Sequence, residues 1–381
     1  MDINSSKFHR DVRPFWVMKL HAMASEIQAK GGEICHLEAG LPEFPTPKPV
    51  LQAANEALDK YSLAYAPSTG IMDLRQRIKR HYQDYYHCDL SVDEILITTG
   101  SSGGFLIAFL GAFKPGATIA VFDPSYPAYR NILNALGFKV VTIDLDLQQV
   151  CEANVSSLEA LWQQTPFEGL ILANPSNPTG VMIDKQEIKA ILEFCDAHDV
   201  RIVADEIYHA LEWGPAASSL RQFSSKHVIV NSFSKYFAMT GWRVGWLVVP
   251  KSLFDNFIHL QSSLFISAPT ISQYAALKAF ECRNVFDEYK QIYKNNRDYL
   301  LTHLPKLGIH PIGRCDGTFY LYCDISTLTN DSTQWCIDTL KNTGVGIAPG
   351  EDFELNGGKK NIRISFARNH AEIKKAISLL S

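Results

Sequence analysis

The chain is short of features that would assign it at once. Of its eight cysteines (35, 88, 151, 195, 282, 315, 323 and 336) no two form C-x-x-C, and none stands with histidines at zinc-ligand spacing. That argues against a zinc module and a thioredoxin-like redox motif. Cysteines scattered through a chain of 381 residues read instead as reduced, half-buried core residues. Neither sign of charge prevails: the net value of −4 gives no electrostatic case for nucleic acid or an anionic membrane as partner. No apolar run reaches the ~18 residues of a membrane span. The opening MDINSSKFHRDVRPFWVMKL has no continuous apolar stretch before a small-residue cleavage site. Internal repeats and low-complexity linkers are missing too. A cytoplasmic protein is expected, with no metal.

What the chain does have is a series of short β-rich apolar runs: ILITT (95–99), TIAVF (118–122), KVVTI (139–143), GLILA (169–173), RIVAD (201–205), HVIVN (227–231) and VGWLVV (244–249). Amphipathic stretches such as KQEIKAILEFCDAHD (185–199) lie between several of them. This alternation predicts an α/β fold with a mainly parallel sheet flanked by helices. A second block begins near residue 285 with DEYKQIYKNNRDYLLTHL and continues through GTFYLYCDI and NIRISFA. It reads as a smaller α/β unit. We therefore expect a large domain over 46–284 and a small one formed by 285–381 with the N-terminal segment 1–45.

In parallel sheets, ligands sit beyond the carboxyl ends of the strands. After ILITT comes GSSGGF, either a tight turn or a small-residue cup that lets backbone N–H groups reach an anion. It matches neither G-x-G-x-x-G nor the Walker pattern. After TIAVF comes DPSYPAY, where two prolines hold Tyr126 extended, as a loop-packing residue or a plate for a planar ligand. After GLILA comes NPSNPTG, a turn or a way to project the Asn177 amide. After RIVA comes DEIYHAL: Asp205 could be a helix cap, yet with Tyr208 it could meet one ligand. After HVIVN comes NSFSKYFAMTGWRVGW, in which Lys235 follows Ser232 and Ser234 and precedes Arg243, residue types suited to a phosphate. Each motif alone has a bland reading. Together they offer an anion cup, an aromatic plate, an amide, a carboxylate and a lysine, which suits pyridoxal 5′-phosphate.

NPSNPTG, ADEIY, NSFSK with Arg243, and NIRISFA resemble the fold-type I pyridoxal-phosphate aminotransferases, the class I/II group that includes aspartate and aromatic aminotransferases. The match runs in order from about Gly40 (EAGLPEFPTP) to Arg363. The resemblance implies transfer of an amino group from an L-amino acid to a 2-oxo acid. It makes Lys235 the lysine that holds the cofactor as a Schiff base and later shuttles a proton. Asp205 becomes the partner of the pyridine nitrogen, and Asn177 and Tyr208 the pair on the phenolic oxygen. Tyr126 would stack on the ring. Gly100, Ser101, Ser102, Ser232 and Arg243 would form the phosphate cup, joined by Ser234. Arg363 would clamp the substrate α-carboxylate, with Gly40 and Asn177 beside it. Tyr65, in YAPSTGIMDLR, resembles the tyrosine that reaches the phosphate of a neighbouring subunit, which implies a homodimer with shared active sites.

The same constellation serves other outcomes. A carbon–sulfur lyase or synthase of this fold would carry most of these residues, because they serve the cofactor. A regulator with an aminotransferase-like sensing domain is a further alternative, though only ~40 residues precede Gly40 and no basic helix-turn-helix pattern is among them. In the aspartate-specific branch, an arginine that grips the side-chain carboxylate falls in the segment corresponding to LQSSLFISAPT (260–270). No arginine occurs there, so dicarboxylate use would rest on other residues. Phe15, Trp16, Leu264 and Phe265 are candidates for an apolar side-chain pocket or for ordinary core.

Overall fold

The computed structural model describes residues 12–147 and 151–381; the first eleven residues of the expected N-terminal segment lie outside them. All seven apolar runs are strands of one sheet: β1 (Ile95–Thr98), β2 (Thr118–Asp123), β3 (Lys139–Asp144), β4 (Gly169–Ala173), β5 (Arg201–Asp205), β6 (Val228–Ser232) and β7 (Gly245–Val248). Their order in space is β1-β7-β6-β5-β4-β2-β3. Strand β7 lies antiparallel to both β1 and β6, and the others all point one way. The fold is α/β with a mainly parallel central sheet.

Alternate residues of these strands enter two separate cores. Ala120, Leu170, Leu172, Ile202 and Ile229 pack on one face, and Ile119, Val121, Ile171, Val203 and Val230 on the other. Successive strand side chains point to opposite faces. With helices on both, nearly every position is apolar, which explains runs that are continuous rather than alternating. Three helices bear on the site: α1 (Trp16–Ala29), α2 (Gly100–Ala112) and α3 (Pro127–Leu136). Phe105 and Phe109 of α2, with Tyr129 and Leu133 of α3, fill one core. On the opposite face, helix Lys185–Ala197 buries Ile188, Ile191, Leu192 and Cys195, the i, i+3, i+4, i+7 spacing of a single stripe.

The second block begins with helix Arg283–His303 and forms a smaller sheet from β8 (His310–Pro311), β9 (Tyr320–Asp324), β10 (Ala348–Pro349) and β11 (Asn361–Ser365). Its order is β10-β11-β9-β8, with every pairing antiparallel. The N-terminal segment joins this block. Cys35–His36 pairs in parallel with Val345–Gly346, and the Ser365 amide donates to the Leu37 carbonyl at 2.8 Å.

Helix α1 is fastened there as well. Its first amides have no cap from Phe15, the residue before the helix. The Asp352 carboxylate accepts from the amides of Trp16 (2.8 Å) and Val17 (2.7 Å) instead. That satisfies two donors a helix start leaves unpaired and sets a negative charge at the positive end of the dipole. Arg130 of α3 extends the connection. It pairs with Asp123 at the end of β2 (2.5 Å) and donates to the carbonyls of Asp352 and Phe353.

Candidate active site

A cavity of about 440 Å³ opens at the carboxyl ends of the parallel strands. At its first corner only Thr99 separates β1 from α2, so the helix begins at Gly100, inside the GSSGG run. The free N–H groups of that first turn carry the positive end of the helix dipole, and Ser101 and Ser102 line the cavity. Gly100 has φ +66°, and a Cβ on it would lie 2.6 Å from the Arg243 guanidinium. Glycine is what lets the helix start and the arginine share one corner. Arg243 holds a left-handed backbone (φ 51°), and its guanidinium donates to the Thr240 carbonyl at 3.0 Å. It has no carboxylate partner among the described residues.

Strand β5 ends in Asp205, which is buried. Its Oδ1 accepts from the Ile207 amide at 3.1 Å, and its Oδ2 accepts a very short bond from the Tyr129 hydroxyl. Burial pushes the carboxyl up to about 6, against the lowering effect of Tyr129, Ile207 and Lys235. Beyond β6, Lys235 donates its Nζ to the Gly40 carbonyl at 2.8 Å. Burial also lowers the pKa of this amine. Gly40 passes so close to Tyr320 that a Cβ there would lie 1.6 Å from the phenol oxygen. Tyr320 in turn shares a 3.0 Å hydrogen bond with Tyr208.

Arg363, on β11, is 4% exposed. It donates to Asn177 Oδ1 at 3.0 Å and to the Glu38 carbonyl at 2.9 Å, and lies over the rings of Tyr320 (4.0 Å) and Phe353 (4.5 Å). Its Nε has no partner, and no carboxylate pairs with it among the described residues. A buried cation left without an anion is costly. An arginine so placed can hold an anionic ligand.

The cavity brings together Gly40, Ser101, Ser102, Tyr126, Asn177, Asp205, Tyr208, Ser234, Lys235, Arg243 and Arg363. Gly100 and Ser232 stand just behind the wall. Gly100 abuts Arg243, and Ser232 Oγ donates to Ser234 Oγ at 2.9 Å, which orients the hydroxyl that does face inward. Tyr65 lies outside, 78% exposed. Of the four apolar pocket candidates only Phe15 lines the cavity. Trp16 packs under Lys19, Leu264 is largely exposed, and Phe265 packs near Gly103. Sequence reasoning passed over Tyr129, Tyr320, Glu38 and His21. Tyr129 had a faint signal, one helical turn after Tyr126, and Tyr320 another, in the aromatic run TFYLY; Glu38 and His21 had none.

This donor set fits pyridoxal 5′-phosphate. Two arginines without acidic partners offer separate seats for a phosphate and a carboxylate, and an amine and a buried carboxylate line the same space.

Comparison with known proteins agrees. The family described as aminotransferase class I and II matches residues 33–380. A valine–pyruvate aminotransferase of Mycobacterium tuberculosis is 42% identical over 370 residues, covering 96% of this chain and 95% of that protein. An aspartate aminotransferase of Sulfolobus acidocaldarius is 30% identical over 365 residues, covering 92% and 90%. The crystal structure of an aminotransferase from Mycobacterium tuberculosis superposes with a TM-score of 0.93 at 42% identity, covering 97% of this chain and 96% of that one.

Proposed function

The chain belongs to the class I and II aminotransferases, and from that membership we propose that it moves an amino group between an apolar L-amino acid, valine among them, and a small 2-oxo acid. Amino-group transfer dependent on pyridoxal phosphate is the family's chemistry. The choice of substrate rests on the cavity wall beyond Lys235 and Arg363. That wall includes Phe15, Val17, Met18 and Leu41, with His21 beside them, and among the described residues the arginines lining the cavity are Arg243 and Arg363. The name of the valine–pyruvate relative supports the same choice.

When bound, the cofactor supplies an electron sink for the pair released as the substrate Cα–H bond breaks. Arg243, the start of α2 and Ser234 would hold its phosphate, and Asp205 the proton on its ring nitrogen. Asn177 and Tyr208 would donate to its phenolic oxygen, and Tyr126 would pack against its ring. Lys235 would hold it covalently at rest. Arg363 fixes the substrate α-carboxylate, as its free Nε and lack of an acidic partner suit it to do, and so orients the Cα–H bond. Once freed, the Lys235 amine carries the proton from Cα. Its lowered pKa keeps more of it unprotonated near neutrality, as a base requires. Tyr129 fixes the Asp205 carboxylate in place.

We place the working form as a homodimer in the cytoplasm, with 46–284 as its large domain and the remainder as its small one. Exposed Tyr65, Leu264 and Ile266 supply apolar surface that a second copy would cover, and eight free, buried cysteines suit a reducing compartment.

A panel of amino donors against pyruvate, 2-oxoglutarate and oxaloacetate tests the reading. Valine or another apolar donor should give the highest kcat/KM. Aspartate as the best donor would overturn the substrate assignment, and ammonia release without an acceptor would indicate a lyase. Lys235→Ala should remove the absorbance of covalently held cofactor and stop turnover.

A further inference from the structure

His21 is the only ionisable side chain that α1 contributes to the cavity, among Phe15, Val17 and Met18. Its Nδ1 lies 2.8 Å from Glu38 Oε1, and His36 Nδ1 meets that same oxygen at 2.8 Å. Glu38 is fully buried, and its Oε2 has no partner. Burial raises its carboxyl, but the bonds from His36 and His21 outweigh that and leave its pKa below the ordinary value. The group is therefore a carboxylate at neutral pH, and a carboxylate assigns the donor role to both Nδ1 atoms. Such a trio could also suggest a cation site. Both contacts have hydrogen-bond length, however, and ligand atoms gathered around an ion with bonds of about 2 Å would stand farther apart.

With Nδ1 turned to Glu38, Nε2 points the other way, and the side chain keeps about a third of its surface open (34%). Nε2 makes no hydrogen bond among the described residues. The titratable groups beside the ring are Glu38 and His36 on one side, with Asp205, Lys235, Arg243 and Arg363 also lining the cavity. Glu38 at Nδ1 and an anionic ligand at Nε2 would bracket the ring, each accepting from one of its two nitrogens.

We propose that His21 is a specificity-determining residue. Its Nε2 binds the far carboxylate of a dicarboxylic substrate, so that one apolar pocket takes both an apolar amino acid and a 2-oxo diacid in the two halves of the exchange. The proposal rests on the transaminase reading above. It supplies what the arginine-free segment 260–270 leaves open: a ring set among apolar side chains whose free Nε2 can meet an acid.

The test compares donors one half-reaction at a time, following the absorbance of the bound cofactor in the holoenzyme with glutamate or valine and no acceptor. In His21→Leu the ratio of kcat/KM for glutamate over valine should fall about tenfold or more, the loss lying in KM for glutamate. His21→Gln, which keeps a donor, should restore part of the ratio. Glu38→Gln should shift it the same way by less. A ratio within twofold of wild type, a parallel fall for both donors, or a wild type that accepts valine but not glutamate overturns the assignment. A wild type that accepts glutamate but not valine overturns the apolar-donor reading instead; His21 then stands or falls on whether KM for glutamate rises in His21→Leu.

Discussion

Arg243 and Arg363 line the same cavity in different company. Arg243 shares a corner with the start of α2, and its neighbours follow the strands of the large sheet within a few residues. Arg363 is held by Asn177, the Glu38 carbonyl and two aromatic rings, groups spread over more than three hundred residues of chain. On the function proposed above, the half around Arg243 would serve the cofactor and is local. The half around Arg363 would serve the substrate and exists only once distant parts of the chain have met. A part read by every reaction of the fold can be built from short motifs, while a part that chooses the substrate is assembled from distant pieces.

Substitutions on either side should separate the two halves. Asp205→Asn should have the largest effect. The cofactor stays bound, kcat falls on the order of 10²–10⁴-fold, and KM for the amino acid changes little; steady-state kinetics on the reconstituted enzyme checks this. Arg363→Leu should lower kcat/KM for every amino donor by about 10²–10³-fold while cofactor affinity holds, since it removes two charge-assisted bonds to the α-carboxylate. Arg243→Leu should do the reverse, weakening cofactor binding by roughly 10–100-fold, with activity recovered at saturating cofactor. If both arginine variants altered both parameters alike, the division into halves would fail.

Tyr129→Phe should act more mildly, slowing turnover by about three- to tenfold. Its hydrogen bond lowers the pKa of Asp205, so its loss should move the acidic midpoint for cofactor binding to higher pH than in wild type. Glu206, the next residue, gives the smallest effect and a control. It is equally buried but faces Ser219 and Leu220, away from the cavity lining. Burial pushes its carboxyl up to about 8. With the folded pKa raised, the stability it contributes is complete below its unfolded value near 4.5 and is lost as pH rises through about 8. Glu206→Gln should therefore gain over wild type in thermal stability between pH 5 and pH 9, by roughly a few kcal/mol, with the kinetics of the purified enzyme little changed.

The comparison also explains what could be read from the chain alone. The seven strands were legible because a sheet covered on both faces demands unbroken apolar runs. Asp205 was legible because it closes such a run, and Lys235 and Asn177 because each follows one within four residues. Ser232 was placed in the phosphate cup, whereas the structure sets it one hydroxyl behind Ser234, a distinction of side-chain direction that no spacing encodes. His21 and Glu38 were invisible. A histidine on a helix with no caps of its own looks like any surface residue until Asp352, supplied by a turn after β10, fixes the helix against the cavity.

That carboxylate has a practical consequence. Asp352 holds the first turn of α1 and is bonded through its own carbonyl to Arg130, while Arg363 stands eleven residues further along the same stretch. Helix α1 and the stretch from Asp352 to Arg363 are thus one component of the enzyme, fastened at Asp352 in addition to the strand pairing of Cys35–His36. Removing the residues up to Val17, or ending the chain before Asp352, would disable the same subsite, and a copy with its termini joined and reopened elsewhere should keep it intact.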